Sequence, residues 1–130
     1  MLKQFLVAFT TFLIIDGLWL TVVAKDFYAK QLGFLMAKTP NLAAALIFYL
    51  IYIFTMVVLI ISPALQKGSL MTAIWTGALF GLCAYATYDL TNLATIKDWP
   101  LLVTIVDLIW GTVLSAAVAG ISYLILTRFI

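Results

Sequence analysis

An all-α integral membrane protein, with four antiparallel transmembrane helices and a short interfacial helix between the first two, is the architecture this sequence predicts. Composition carries the first argument: 66% of residues are hydrophobic, 9% are charged and the mean hydropathy is +1.22, values outside the range of soluble globular domains. The second is the presence of four apolar runs, approximately 4–24, 42–62, 70–93 and 100–127. Each is long enough to cross a hydrocarbon core of about 30 Å at about 1.5 Å per residue. The third is the boundary chemistry between the runs. Asn41 after Pro40 and Ser69 after Gly68 read as N-caps, Pro63 as the end of the second span, and Asp98-Trp99-Pro100 as a cap with an early proline opening the fourth.

The first run is expected to remain as a helix and not to be a cleaved signal, because it is long, contains Asp16, and lacks a small-x-small site before Lys25 and Asp26. Between the first two spans, Phe27, Tyr28, Leu32, Leu35 and Met36 recur at helical spacing, flanked by Lys25, Lys30 and Lys38. That pattern suits a short helix lying in the headgroup region. The runs together use most of the chain, so residues 1–130 form a single four-helix transmembrane domain. Lys3, Lys67 and Arg128 on one side against Lys25, Lys30, Lys38 and Lys97 on the other give too small a bias to set the orientation.

Several chemistries are disfavoured by composition. There is no histidine, and Cys83 is the single cysteine, so neither serine–histidine nor cysteine–histidine catalysis, an intrachain disulfide nor a thiolate metal cluster is expected. No metal and no cofactor is assigned. A net charge of +2 without a basic run indicates neither nucleic acid nor a specific anionic lipid; the partners expected of a chain built from spans are membrane lipids.

What stands out against the apolar background is a set of intramembrane carboxylates. Asp16 and Asp107 lie in a phrase that occurs twice, Ile14-Ile15-Asp16-Gly17-Leu18-Trp19 and Ile105-Val106-Asp107-Leu108-Ile109-Trp110, and Asp89 lies in Tyr88-Asp89-Leu90-Thr91-Asn92. The duplication reads either as an internal repeat in opposite orientation or as coincidence in an Ile- and Leu-rich chain. A charged side chain at mid-bilayer costs roughly 2.5–3.5 kcal/mol on insertion scales, so such residues face a polar interior and generally serve a function. Counting about 1.5 Å per residue from the surface bearing the first and third loops puts Asp16 at about 12 Å depth, Asp107 at about 10 Å, Asp89 at about 8 Å, and Tyr49 and Tyr52 at about 10 and 15 Å. All fall on one side of the midplane, in one asymmetric polar layer.

Face patterns add to this. Ala78, Leu82, Tyr85, Asp89 and Asn92 are read as one stripe of the third span, beside a smooth stripe of Gly77, Gly81 and Ala84. Thr104, Asp107, Gly111 and Ser115 form a small polar stripe on the fourth. The expected site is therefore Asp89 with Asn92 at its centre, Asp16 and Asp107 flanking, and Tyr85, Tyr88, Tyr49, Tyr52, Trp19 and Trp110 around them. Trp19 and Trp99, taken singly, suit interfacial anchors.

The stretch Ala84-Tyr85-Ala86-Thr87-Tyr88-Asp89-Leu90-Thr91-Asn92-Leu93-Ala94-Thr95, then Trp99-Pro100 and Asp107-Leu108-Ile109-Trp110-Gly111-Thr112, resembles the signature of a bacterial predicted-membrane-protein family, domain of unknown function 2177. Asp16-Gly17-Leu18-Trp19 and Lys25-Asp26-Phe27-Tyr28 are similar to it as well. The resemblance spans nearly the whole chain. It implies a small integral membrane protein with four spans and carries no reaction, substrate or cofactor; the expected location is multi-pass in the bacterial inner (cytoplasmic) membrane.

Three classes of function stay open. The favoured one is proton- or cation-coupled transport or conduction of a small substrate through an Asp-lined pocket, in which carboxylates without basic partners exchange a proton for a cation; it requires a homo-oligomer, a dimer at least. The others are an intramembrane enzyme acting on a lipid or isoprenoid with a carboxylate acid/base pair, and a membrane binding or assembly module.

Overall fold

The computed structural model, which describes all 130 residues, contains helices and connecting turns only. Four helices are long and apolar enough to span a membrane: α1 (Leu2–Val23), α3 (Leu42–Lys67), α4 (Leu70–Thr95) and α5 (Leu101–Arg128). Between the first two lies α2 (Lys25–Leu32). Large apolar side chains such as Ile14, Ile47, Ile51, Leu79, Ile109 and Val113 are exposed around the bundle. In a bilayer they meet lipid, which returns no penalty for their exposure and leaves the interior to residues that must pack or hydrogen-bond.

The caps expected of Asn41 and Ser69 are present. Asn41 Oδ1 accepts from the Ala44 amide and Ser69 Oγ from the Thr72 amide, each at 3.1 Å, satisfying one free donor at each helix start. Two boundaries differ from expectation. Pro63 does not end α3: the helix widens into a π-turn at Val57–Ile61, continues from Ser62 to Lys67, and stops at Gly68 in the left-handed region (φ 66°). A proline inside a helix removes a donor and crowds the carbonyl four residues back, and the wider turn immediately before it loosens that contact. Asp98 is no cap either. It sits at φ 63° in the turn, and Pro100 takes the cap position of α5 without a side-chain bond.

A second π-turn, Trp19–Val23, closes α1, and Ala24 then breaks the helical path so that α2 folds back. The dipole of α2 is matched by Asp26 in its first turn and Lys30 in its last. Phe27, Tyr28 and Leu32 are half-buried on its inner face, whereas Leu35 and Met36 lie beyond the helix and are exposed. The helical pattern read through Met36 therefore ends a turn earlier.

Helix α5 is the centre of the bundle. It buries more residues than any other helix and packs extensively on α4 and next on α1. The α4–α5 seam is close because α4 presents Ala73, Gly77, Gly81 and Asp89, all buried at multiples of four. A Cβ added to Gly77 would lie 2.8 Å from the Ser115 carbonyl oxygen and 2.9 Å from Ala119 Cβ, and one on Gly81 would overlap the Gly111 carbonyl. This seam corrects the stripe reading: the smooth glycine row itself leads to Asp89, while Leu82 is 40% exposed on the lipid side. On α5, Thr104, Asp107, Gly111 and Ser115 are buried together, as their spacing predicts.

The bundle has two unlike halves. Phe12, Ile53, Met56, Val57, Ile61 and Leu114 belong to one continuous apolar core in the half that bears the chain termini. Tyr52 marks its upper limit, hydrogen-bonded to Ser115 and with its ring 5.4 Å from Phe12 and 5.2 Å from Phe80. Above it the first half of α3 is exposed on most faces, and α3 meets α4 chiefly through its later turns. A cleft is left between them. For the seam we expect Gly81→Ala to destabilise the bundle by about 1–3 kcal/mol, as overpacking does, and Leu82→Ala to change stability by no more than about 0.5 kcal/mol. Thermal unfolding in detergent compares the two, and equal melting temperatures for both variants would refute the close seam.

Candidate functional site

The three carboxylates are all enclosed by the bundle: Asp16 is 6% exposed, Asp107 7% and Asp89 0%. They come from α1, α5 and α4, so the polar layer exists only because these three helices meet. No lysine or arginine bonds to any of them.

Asp107 holds the most connected position. The Tyr28 hydroxyl donates to its Oδ1, and Trp19 Nε1 donates in turn to Tyr28 Oη at 3.1 Å. Asp16 Oδ1 accepts from Trp110 Nε1 at 3.3 Å. The rings of Trp19 and Trp110 are stacked, 4.2 Å apart and 8° from parallel. The two copies of the Asp-x-x-Trp phrase thus meet face to face: the tryptophan of the α5 copy serves the aspartate of the α1 copy directly, and the tryptophan of the α1 copy reaches the other aspartate through Tyr28.

Asp89 is different. No N–H or hydroxyl donor reaches either of its buried carboxyl oxygens, and the polar group beside them is the Asp107 carboxyl, within hydrogen-bonding reach if one of the two carries a proton. Its backbone is held instead, with Thr104 Oγ1 donating to the Asp89 carbonyl at 3.4 Å and itself accepting from Trp99 Nε1 at 3.1 Å. Trp99, suited by its sequence position to an interfacial anchor, is buried and packs edge-on against Tyr88 at 5.9 Å.

Two adjoining cavities open beside this layer. One, of about 310 Å³, is lined by Phe48, Ala84, Tyr85, Tyr88 and Asp107. The other, of about 240 Å³, is lined by Asp16, Trp19, Tyr28, Tyr49 and Trp110 among others, and shares Phe48 and Tyr85 with the first. Tyr85 is the common wall. Its ring lies over Gly111, where any Cβ would overlap it, so a glycine on α5 sets the position of a tyrosine on α4.

Each residue singled out by sequence can now be placed. Asp16, Trp19, Tyr49 and Trp110 line the second cavity, Asp107 and Tyr88 the first, and Tyr85 both. Tyr52 lies at the floor, its hydroxyl engaged by Ser115. Asp89 lies behind Asp107 in the α4–α5 seam, and Asn92 is half-buried beside Tyr88, lining neither cavity. Sequence reasoning missed Tyr28 and Phe48 as contributors, and it placed Thr104 on the polar stripe of α5 without its bond to the Asp89 backbone. The only sequence signal for Tyr28 was its place in Lys25-Asp26-Phe27-Tyr28, because helical periodicity put it on an apolar face.

The fold and this layer define a multi-pass membrane protein that contacts lipid along four apolar helices and encloses a set of acidic and aromatic side chains. The chain belongs to the family described as predicted membrane protein (DUF2177), whose model matches residues 1–124. No curated protein and no solved structure matches it.

Tyr28 lies outside the spans, and its acidity follows from its surroundings. Burial and the bond to Asp107 both push the phenol above its ordinary value of 10.0. Its stabilising contribution is therefore complete below pH 10 and is lost only as pH rises through the higher folded value. At pH 10 the tyrosinate absorbance of the Tyr28→Phe variant should equal that of the unsubstituted protein. A smaller signal in the variant would mean that Tyr28 ionises normally and is not held by Asp107.

Proposed function

We propose that this protein is a carrier that exchanges protons for a small cationic substrate at the Asp107–Asp89 pair, reached through the cleft between α3 and α4. The observation that supports it most strongly is the Asp89 carboxyl, buried with no N–H or hydroxyl donor and with only the Asp107 carboxyl beside it. An ionised carboxylate taken out of water without a partner is far too costly to persist. Its charge is removed by a proton or balanced by a cation, and the protein supplies no cation of its own at that depth. Two neighbouring carboxyls in such a place can hold one species or the other, the coupling that an exchanger needs.

The apolar half of the bundle argues for a carrier over an open pore. Below Tyr52 the core of Phe12, Ile53, Met56, Val57 and Leu114 is continuous, so the cleft ends blindly partway across. Such a one-sided site suits alternating access, with the second arrangement requiring movement of α3 or a second copy of the chain. Placement in a bacterial inner membrane belongs to the same proposal.

A second reading has one feature in its favour. The larger cavity opens between two helices within the span and is mostly apolar, a shape that would admit a lipid or isoprenoid tail with its polar end at the carboxyl pair. That is the arrangement an intramembrane acid/base enzyme would use.

Proteoliposomes with an acidic interior and an entrapped pH dye test the carrier. Addition of a panel of permanent cations outside, including sodium, potassium and quaternary ammonium ions, should collapse the gradient for at least one member. Asp89→Asn and Asp107→Asn should each reduce that rate at least tenfold while leaving the bundle folded by circular dichroism. A gradient unaffected by every cation, or variants as active as the original, would remove the proposal.

A further inference from the structure

The larger cavity has a wall composition that goes beyond a generic acidic pocket. Three aromatic side chains, Phe48 from α3 and Tyr85 and Tyr88 from α4, line it together with Asp107, and Ala84 is the remaining wall. Aromatic faces carry partial negative charge and attract cations within about 6 Å of the ring centre, most strongly where water is excluded. Carboxyl groups at the base add full charge of the same sign. Small inorganic cations are held best by several oxygen ligands, and this wall offers few.

Resting on the carrier reading, we infer that the substrate is a hydrophobic organic cation, an alkyl- or aryl-substituted quaternary ammonium, whose charged centre sits among Phe48, Tyr85 and Tyr88 above Asp107. Four further points agree. The volume of about 310 Å³ is at the small end of ligand pockets, which run from about 300 to 1,000 Å³, and suits one ammonium centre with a single aryl or short alkyl arm. The adjoining cavity, reached past the shared Phe48 and Tyr85, continues the aromatic lining toward Trp19 and Trp110 and ends at Asp16. Entry between α3 and α4 passes Phe48 and Tyr88, which are 48% and 58% exposed, so a cation with apolar substituents can arrive from the bilayer side. Lastly, the titratable groups acting on one another around the site are Asp16 of α1, Tyr28 of α2, Tyr49 and Tyr52 of α3, Tyr85, Tyr88 and Asp89 of α4, and Asp107 of α5. None is basic, so nothing in the site repels a cation.

Charge balance fixes the exchange. As the ammonium enters, a proton leaves the Asp107–Asp89 pair, so the site's net charge is unchanged and no ion is left unpaired in the seam.

The test uses benzyltrimethylammonium and its uncharged carbon isostere neopentylbenzene. Binding to the purified full-length protein in detergent is followed by tryptophan fluorescence, with proton release read in weak buffer. The cation should bind and release about one proton per protein, and the isostere should do neither to a measurable degree. Phe48→Leu, which keeps apolar bulk but loses the ring, should weaken the cation by roughly 3- to 30-fold, the range expected for one cation–π contact. Phe48→Trp should bind at least as tightly as the original, and Leu82→Ala, on the lipid face, should match it. Equal binding of the isostere, or unchanged affinity in Phe48→Leu, would overturn the inference. If sodium or potassium collapses the proteoliposome gradient while benzyltrimethylammonium neither binds nor does so, the aromatic cage is wrong and the carrier reading stands. If no cation acts in either assay, both fall.

Discussion

Hydrocarbon cannot hydrate a carboxylate, and this chain places three of them where hydrocarbon would otherwise be. The bundle is organised by the need to enclose them. Asp89 can be shut away from lipid only because α4 and α5 approach closely enough to cover it, and that approach depends on Gly77 and Gly81 facing Ser115, Ala119 and Gly111. The same close packing fixes Tyr85 over Gly111 and thereby the wall between the two cavities. Helix packing and pocket shape are one geometric problem here, solved by three glycines.

The division of labour between the two halves follows from the same constraint. In the half bearing the termini, Phe12, Ile53, Met56, Val57 and Leu114 interdigitate without a polar demand to meet, and they supply the rigid base. In the other half α3 stands away from α4, and its place is taken partly by α2. The π-turn at Trp19–Val23 and the break at Ala24 turn the chain back so that Tyr28 reaches Asp107. A side chain from the short helix between the first two spans thus completes a site built from the spans themselves.

The repeated Asp-x-x-Trp phrase acquires a physical meaning in this setting. Helices α1 and α5 run antiparallel, so the two phrases meet in opposite directions, their indoles stack, and each tryptophan's N–H is committed to an acceptor that leads to the other phrase's aspartate. An indole buried in a bilayer needs such an acceptor, and a carboxyl needs such a donor. Each motif meets the requirement of the other, whether the duplication arose as a repeat or by coincidence.

By itself the sequence determined the class of protein, the four spans, the caps at Asn41 and Ser69, and the existence of one polar layer near the first and third loops. These follow from quantities local to the chain: apolar length against bilayer thickness, cap chemistry, and depth counted along a helix of fixed rise. The enclosure of Asp16, Asp89 and Asp107 was legible for a related reason, since the cost of lipid exposure applies wherever the neighbouring helices lie. Which side chains touch was decided only by tertiary structure. Tyr28 bonds to Asp107 across 79 positions of chain and Trp110 to Asp16 across 94, and Asp89 is left with only the Asp107 carboxyl beside it while Asp107 faces the cavity. Such outcomes depend on helix rotation and on the separation of α3 from α4, and helical periodicity leaves both free in a chain whose lipid-facing and core-facing residues are equally apolar.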